Sequence, residues 1–345
     1  MPPQSHLKQI VEERQTLNRE AARALMQQIL AGELSEIQLA ATLSALAARG
    51  EVPSEIAGFV DVMRAAATPV PLDPAERDLL VDTCGTGADL SGTFNISTAA
   101  ALAAAAAGAS VAKHGNRAVT SECGSADVLE ALGIPVGLSP AEGAAALRKH
   151  RFAFFHAPAL HPAMKIVMPV RRAIGIRTIF HLVGPLSNPA GASAQVMGVY
   201  AAHLVPVVAD TMALLGTRHA FVVHGIAEAS DGTHTGLDEI SISGPSQIAE
   251  VRNGTVTLST LTPEDLGLER ASIETLRGGN AETNAAILEA IFSGERSPRR
   301  DIVLLNAAAV LVASDLADTL TEGIAKAAHA IDTGAVKALL ANLRT

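Results

Sequence analysis

The residues with the clearest chemical meaning form a glycine-rich turn between a short apolar run and a helix. The run 79–82 leads into Thr83-Cys84-Gly85-Thr86-Gly87-Ala88-Asp89, and Thr93-Phe94-Asn95-Ile96-Ser97-Thr98 then opens an alanine-rich segment. Backbone N–H groups, small hydroxyls and a helix N-terminus suit a phosphate or pyrophosphate. The glycine spacing and the missing lysine distinguish this turn from the P-loop and the dinucleotide fingerprint. These residues alone fit an anion site and a tight strand-to-helix connection equally well.

A second polar cluster follows the next apolar run. A strand is predicted over residues 109–112, and Lys113-His114-Gly115-Asn116-Arg117 comes directly after it. In an open α/β sheet, ligands bind beyond the carboxyl ends of the strands. One such cluster would usually be a solvated basic turn, but two polar strand ends in one βαβ unit favour a ligand site.

An adjacent acidic pair, Asp238 and Glu239, lies in the segment 236–242, close to a glycine. On a regular strand the two carboxylates would face opposite ways, but in an irregular loop both could reach a hard cation such as Mg²⁺. A solvated acidic turn is the alternative interpretation when the pair is considered by itself.

Helices are predicted throughout the first seventy residues. The first covers 18–30, and the second begins at a capping box of Ser35 and Gln38 and ends at Gly50. Ser54 is predicted to cap a third. A proline-rich link then leads to the first strand.

Strand patterns alternate with helical ones beyond this link. They occur at 153–155, 195–199 and 220–223, and such alternation is typical of a parallel sheet. The predicted fold class is α/β, with a small all-helical domain and a large α/β domain whose mostly parallel central sheet is flanked by helices.

Composition agrees with a soluble globular protein that has a large core. The chain has 345 residues, of which 48% are hydrophobic and 18% charged, enough for a large core and more than one domain. No apolar run reaches membrane-spanning length, and the N-terminus lacks a signal core, so we expect a cytoplasmic protein. A net charge of −9 argues against general nucleic-acid binding. Cys84 and Cys123 are expected to be thiols rather than a disulfide.

Several motifs together resemble the anthranilate phosphoribosyltransferase family in order and spacing. They are GTGADLSGTFNIST, KHGNR, GSADVLEALG, HPAMK, VRRAIGIRTIF, GPLSNPA and GLDEISI, and the resemblance continues to Asn306. It implies transfer of the phosphoribosyl group of phosphoribosyl pyrophosphate (PRPP) to the amine of anthranilate, with release of pyrophosphate, in tryptophan biosynthesis. Pyrimidine nucleoside phosphorylases share the fold and versions of the first two motifs, but HPAMK with VRRxxGIRT favours the anthranilate family.

A non-catalytic relative that binds nucleic acid or a protein is the alternative from another class. It should have a degraded phosphate loop, no acidic pair and a basic groove. This chain instead retains Asp89, Lys113 and the acidic pair.

The resemblance also implies an organisation and a set of binding residues. The small helical domain would be 1–72, joined by about 160–183, and 73–345 would form the large domain that carries the PRPP site. A homodimer through the helical domain and two Mg²⁺ ions are implied. The implied PRPP-binding residues are Gly85, Thr86, Gly87, Asp89, Thr93, Asn95, Ser97, Thr98, Lys113, Cys123 and Ser125. The implied anthranilate-binding residues are Gly85, His114, Asn116, His161, Arg171 and Gly184, and the implied metal ligands are Ser97, Asp238 and Glu239.

The implied chemistry relies on electrostatics. Displacing pyrophosphate at the ribose C1 develops oxocarbenium character, and the leaving group carries several negative charges. Lys113 and Mg²⁺ are therefore expected to stabilise the transition state, and no residue is assigned as an acid or base. Holding the two reactants together supplies further acceleration. The guanidinium fork of Arg171 suits the carboxylate of anthranilate.

Some positions depart from the family pattern. Ala88 and Leu90 replace two glycines of the usual Gly-Thr-Gly-Gly-Asp-Gly loop, and leucine would resist a backbone conformation that glycine adopts freely. Cys123 stands where a phosphate-facing serine is common, which exchanges a good hydroxyl donor for a weak thiol. Leu160 stands where a second histidine is frequent. Weaker PRPP binding is the expected consequence.

Overall fold

The structure is a computed structural model that describes residues 3–118 and 122–344. Within these residues the chain forms sixteen α-helices and eight strands. The helices are α1 Pro3–Val11, α2 Arg19–Leu30, α3 Glu36–Arg49, α4 Pro53–Ala66, α5 Pro74–Asp78, α6 Ile96–Ala106, α7 Ser125–Ala131, α8 Pro140–His150, α9 Ala157–Leu160, α10 Met168–Ile174, α11 Phe180–Val183, α12 Leu204–Leu214, α13 Ala281–Phe292, α14 Pro298–Ala313, α15 Leu320–Asp332 and α16 Ala335–Leu343. The strands are β1 Leu80–Asp82, β2 Ser110–Gly115, β3 Phe152–His156, β4 Ala194–Gly198, β5 His219–Glu228, β6 His234–Leu237, β7 Ser246–Arg252 and β8 Thr255–Leu261.

The N-terminal helices begin largely where their capping residues predict. The side chain of Asn18 caps α2, and Ser35 and Gln38 form the predicted capping box of α3. The predicted cap at Ser54 is wrong, because α4 begins at Pro53 and Val52 occupies the N-cap position. Proline loses no helical hydrogen bond at the first position of a helix. The Ser54 hydroxyl instead donates to the carbonyl of Leu17 at 2.8 Å.

The sheet has the strand order β3-β2-β1-β4-β5-β7-β8, and β6 pairs with β5. The five strands from β3 to β5 are parallel, whereas β6, β7 and β8 join as antiparallel neighbours. Val81 of β1 lies opposite Val111 on one side and Ala194 on the other. The strand order therefore reverses at β1, and a doubly wound sheet binds ligands at this switch point.

Separate apolar cores cover the two faces of the sheet. On one face, the alanine-rich helix α6 is buried against the sheet, α14 and α15. On the other face, α12 and the helices α2, α3 and α4 share one core with β4 and β5. No described helix combines the length and the apolar character needed to span a membrane.

The segment that contains α10 and α11 returns to the N-terminal helices. Val170 and Phe180 are buried in the same core as Phe59, and the two phenylalanine rings meet edge to face with centroids 6.1 Å apart. This packing agrees with a discontinuous helical domain, while the boundary at residue 72 stays a prediction.

The close packing of α15 on α14 requires a glycine. A Cβ built on Gly323 would lie 2.8 Å from both Cα and Cβ of Ala308. We expect Gly323→Val to lower the free energy of unfolding by about 1–3 kcal/mol because the helices must separate. Ala325→Val adds the same side chain at an exposed position of α15 and serves as the control. Urea unfolding measures both, and an equal loss in the two variants would contradict this account.

Candidate active site

A buried aspartate at the end of β1 organises the ends of two strands. Oδ1 of Asp82 accepts hydrogen bonds from the N–H groups of Thr83 at 2.7 Å and Cys84 at 3.1 Å. The same oxygen accepts one from the N–H of His114 at 3.1 Å. Burial raises the pKa of Asp82 to about 6, and the hydrogen bonds to its carboxylate oppose the shift. This side chain fixes where the glycine-rich loop leaves β1 and aligns the loop with the end of β2.

A buried lysine reaches the same place from β2. The strand extends to Gly115, beyond the predicted end at 112, because it continues to pair with β3. Lys113 and His114 therefore belong to the strand and point to opposite faces of the sheet. Nζ of Lys113 donates to Oγ1 of Thr83 at 2.9 Å and to Oγ of Ser97 at 3.5 Å. Burial lowers the pKa of Lys113, and the acidic groups nearby oppose that shift.

The glycine-rich loop is anchored on both sides. The N–H of Thr86 donates to the carbonyl of Gly198 at 2.9 Å, and the Thr86 hydroxyl accepts from the N–H of Tyr200 at 3.0 Å. At the far end of the loop, the N–H of Phe94 donates to the carbonyl of Leu276 at 3.1 Å. The loop thus spans from the end of β4 to the segment that precedes α13.

Two non-glycine residues of the loop lie in the left-handed region. The φ angles of Ala88 and Leu90 are +61° and +62°, and side chains other than glycine are strained there. The prediction that Leu90 occupies a conformation suited to glycine is confirmed. Leu90 is 77% exposed, so burial of the leucine does not offset this strain.

Asp238 and Glu239 follow β6 in an irregular segment, as predicted, and both carboxylates face the loop. Oδ2 of Asp238 accepts from the N–H of Gly87 at 2.7 Å. Oε1 of Glu239 accepts from the N–H of Ser97 at 3.0 Å. The N–H of Asp238 donates to Oδ2 of Asp89 at 3.2 Å. One carboxylate therefore lies at the glycines of the loop and the other at the N-terminus of α6.

The acidic segment approaches β4 and β5 more closely than any side chain would allow. A Cβ built on Gly198 would lie 1.5 Å from the carbonyl oxygen of Asp238. A Cβ on Gly225 would lie 2.6 Å from the carbonyl oxygen of Glu239. A larger residue at either position would displace the carboxylates from the loop.

The electrostatics of this acidic pair favour a cation. Burial raises the pKa of Asp238 well above its usual value, and the charges of Asp89 and Glu239 raise it further. Burial also raises the pKa of Glu239 to about 7, although Lys113 opposes the shift. A divalent cation would relieve the repulsion, and carboxylate oxygens with the Ser97 hydroxyl are hard donors of the kind that Mg²⁺ prefers.

A second group of potential ligands mixes donor types. Among the described residues, Asp82, Cys84 and His114 are the one set of three whose ligand atoms all lie within 4.8 Å of one another. Sulfur and nitrogen donors suit zinc rather than magnesium. Burial raises the pKa of the Cys84 thiol, which disfavours the thiolate that a metal needs. The acidic pair is therefore the candidate for Mg²⁺.

Two histidines meet on the opposite face of β2 from Lys113. The ring centroids of His114 and His161 are 5.3 Å apart. Both rings are buried, and within the described residues neither nitrogen of His114 nor Nε2 of His161 has a hydrogen-bond partner. Burial lowers the pKa of His114 to about 3 and also lowers that of His161. Both rings are therefore neutral near pH 7 and keep polar atoms available for a ligand.

Arg171 and Gly184 lie on the segment that follows His161. The Arg171 guanidinium lies 5.4 Å from the centroid of the Phe180 ring, and burial lowers its pKa. No hydrogen bond or ring contact joins Arg171 to the histidine pair in the described part of the chain. Gly184 begins a turn that continues with Pro185. The carbonyl of Pro185 accepts a hydrogen bond from Nε2 of Gln195 at 3.0 Å.

The sequence comparisons identify the family of the chain. The model described as glycosyl transferase family, a/b domain, matches residues 77–337, and the helical bundle domain of the same family matches residues 4–67. The anthranilate phosphoribosyltransferase of Symbiobacterium thermophilum is 50% identical, and the alignment covers 97% of this chain and 95% of that relative. The chain belongs to the anthranilate phosphoribosyltransferase family.

Solved structures agree with this membership. The anthranilate phosphoribosyltransferase of Thermus thermophilus superposes with a TM-score of 0.88 at 40% identity, covering 100% of this chain and 98% of that one. The enzyme of Saccharomyces cerevisiae in complex with PRPP and Mg has a TM-score of 0.84 at 25% identity, covering 99% and 96%. Membership decides against the nucleoside phosphorylase and the non-catalytic relative that the sequence left as alternatives.

Other predicted residues of this family member lie in or just before the first turn of α6. Nδ2 of Asn95 donates to the carbonyl of Cys123 at 3.2 Å, and its Oδ1 accepts from Asn284 at 2.9 Å. The hydroxyl of Thr98 is buried and has no partner within the described residues. Thr93 forms a β-bridge with Arg277.

The structure also shows the surroundings of Cys123 and of Ser125, which lies at the start of α7. Cys123 and Cys84 carry thiols, as predicted, and burial raises the pKa of Cys123 to about 11. Cys123 is therefore neutral near pH 7. Ser125, in the first turn of α7, donates to the carbonyl of Asn116 at 3.3 Å.

Several positioning residues have no signal in the sequence. Gln195 donates to the carbonyls of both Cys84 and Pro185 at 3.0 Å, which joins the loop to the Gly184 turn. Asn306 binds the backbone of Ile240 through both its amide oxygen and its amide nitrogen at 3.0 Å, next to Glu239. These contacts join distant parts of the chain, so only the fold reveals them.

The raised pKa of Glu239 predicts how the stability of the metal-free protein depends on pH. Without metal, the native state keeps this proton up to about pH 7, whereas the unfolded chain releases it near the ordinary value of 4.5. Stability falls with rising pH wherever the native state binds more protons. We therefore expect metal-free wild type to lose stability relative to Glu239→Gln between about pH 5 and pH 8.

Urea unfolding across this pH range, in chelator, measures the difference between the two proteins. The control is Glu295→Gln, which removes an exposed carboxylate and should run parallel to wild type. A constant difference between wild type and Glu239→Gln would contradict the raised pKa.

Proposed function

We propose that this chain transfers the phosphoribosyl group of PRPP to the amine of anthranilate and releases pyrophosphate. One observation carries the proposal. At the switch point of the sheet, the glycine-rich loop lies between a buried lysine and a partly buried acidic pair, and a neutral histidine pair lies across β2. A polyphosphate with its cation matches the side that holds the lysine and the acidic pair. An aromatic acceptor matches the side that holds the histidines.

The pyrophosphate side consists of the loop, the start of α6 and Lys113. Gly85 and Gly87, on either side of Thr86, allow close approach of an anion because they lack a Cβ, and the first turn of α6 adds the positive end of the helix dipole. The implied PRPP set also includes Asp89, Thr93, Asn95, Ser97, Thr98, Cys123 and Ser125. Thr98 supports this assignment because its buried hydroxyl has no protein partner in the described residues.

Magnesium ions would be held by Ser97, Asp238 and Glu239, and two ions are proposed. When bound, they would neutralise charge on the pyrophosphate as it leaves. Lys113 would supply positive charge at the same end of the strands; burial lowers its pKa, and the acidic groups around it oppose that shift.

The acceptor side consists of Gly85, His114, Asn116, His161, Arg171 and Gly184. The nitrogens of the two histidines offer hydrogen bonds to the planar acceptor. Arg171 contacts Met168 and Phe180, so its guanidinium keeps donors available for a carboxylate.

The reaction forms one bond and breaks another at the ribose C1. The amine nitrogen of anthranilate attacks C1, the bond from C1 to the pyrophosphate oxygen breaks, and the electron pair leaves with pyrophosphate. The arylamine is neutral near pH 7 and attacks without prior deprotonation. The arylammonium formed by the attack then loses one N–H proton to solvent, and no strong base is required because an arylammonium is acidic. The residues of the two sides hold the reactants together and stabilise the leaving charge.

The assembly is also proposed from the sequence. A homodimer through the helical domain is proposed because the family resemblance implies it. Cytoplasmic location stays a prediction.

A fluorescence assay tests the proposed function. Anthranilate fluorescence should decrease when PRPP and Mg²⁺ are both present and should stay constant when either is omitted. The control reaction uses thymidine and phosphate, which a pyrimidine nucleoside phosphorylase would convert. Turnover in the control alone would overturn the proposal.

Arg171 separates the two substrates. We expect Arg171→Ala to raise the KM for anthranilate about ten- to a hundredfold, because a charge-assisted hydrogen bond is lost, and to change the KM for PRPP little. Arg172→Ala is the matched control, since Arg172 is the exposed neighbour on α10. Steady-state kinetics measure both constants, and equal effects on the two substrates would show that Arg171 supports the fold instead.

A further inference from the structure

Arg177 connects the acceptor segment to the glycine-rich loop. Its guanidinium donates a hydrogen bond to the carbonyl of Ala88. The same guanidinium lies over the ring of Tyr200, 4.4 Å from the centroid, a distance typical of a cation–π contact. Arg177 follows α10, which carries Arg171, and precedes the buried residues Thr178 and Ile179.

The carbonyl that Arg177 binds belongs to the strained part of the loop. Ala88 and Leu90 have positive φ angles, where an alanine or leucine is disfavoured and glycine is not. In such a conformation the loop needs contacts from outside to stay in place. Since Leu90 is exposed, the hydrogen bond from Arg177 is the contact that holds the carbonyl of Ala88.

Tyr200 connects this contact to the anchored end of the loop. Its N–H donates to the hydroxyl of Thr86 at 3.0 Å, and the N–H of Thr86 donates to Gly198. Arg177 therefore contacts the loop directly at Ala88 and indirectly through Tyr200 at Thr86. The two contacts bracket Gly87, whose N–H binds Asp238.

We propose that Arg177 is a positioning residue that holds the loop in the conformation that binds PRPP, in place of the loop glycines that this chain lacks. The inference rests on the proposed function and assigns Arg177 no contact with substrate. Its effect should appear in PRPP binding even when no acceptor is present, because the contact acts on the loop alone.

Titration calorimetry with PRPP and Mg²⁺, without anthranilate, measures this effect. Arg177→Gln should weaken PRPP binding about tenfold, in line with the loss of a hydrogen bond from a charged group. Arg172→Gln removes the same charge from an exposed position five residues earlier and should bind as wild type does. Arg177→Lys retains the charge and should recover only part of the affinity, because lysine lacks the planar fork.

Glycine substitutions distinguish positioning from direct contact. If Arg177 holds the strained backbone, Ala88→Gly with Leu90→Gly should restore most of the affinity lost in Arg177→Gln, since glycine removes the strain. The same two glycines are also introduced into wild type, because glycine relieves the strain there as well. An equal gain in PRPP affinity in the two backgrounds would mean that Arg177 does not act on the strained backbone, and the proposal would be overturned. Thermal unfolding of each variant checks that the fold is retained.

Turnover by the wild type separates this inference from the proposed function. If wild type consumes anthranilate with PRPP and Arg177→Gln binds PRPP as tightly as wild type, only the positioning role fails. If wild type shows no such turnover, the proposed function fails first. If Arg177 positions the loop as proposed, Arg177→Gln should raise the KM for PRPP more than the KM for anthranilate.

Discussion

The site depends on one close backbone contact, between Gly198 at the end of β4 and the carbonyl of Asp238. The strand end and the acidic segment come so near that a single Cβ would lie 1.5 Å from that oxygen. This approach brings the carboxylates over the glycine-rich loop, where Gly87 and Ser97 donate to them. Without it, the loop would still leave β1 at the same point, but Asp238 and Glu239 would not face it.

The contact also has an electrostatic cost. Asp238 and Glu239 are partly buried near Asp89, and desolvation raises the pKa of both members of the pair. Lys113 offsets part of the negative charge, yet its own pKa is lowered by burial. Buried charges without full pairing destabilise a fold, so this arrangement is better suited to receiving a cation with its polyphosphate than to stabilising the empty protein.

The sequence predicted the parts of the site that are local in the chain. The loop, the polar end of β2 and the irregular acidic segment each follow from residue types within short windows, and the structure places them together. The end of β2 was misjudged because pairing with β3, a tertiary effect, extends the strand through Lys113 to Gly115. The cap at Ser54 was misjudged because Pro53 starts the helix one residue earlier. Gln195 and Asn306 could not be found, since each binds backbone far away in sequence.

The departures from the family pattern at positions 88 and 90 place non-glycine residues in a strained backbone conformation, which the contacts of the loop must hold. Leucine at position 90 loses the freedom of glycine and gains no burial, because its side chain is mostly exposed. The loop nevertheless keeps its positive φ angles, so contacts elsewhere must hold it. They come from Gly198 and Tyr200 on one side and from Leu276 on the other, while Arg177 binds the middle. A loop with these outside contacts keeps positive φ angles at Ala88 and Leu90 although neither residue is glycine.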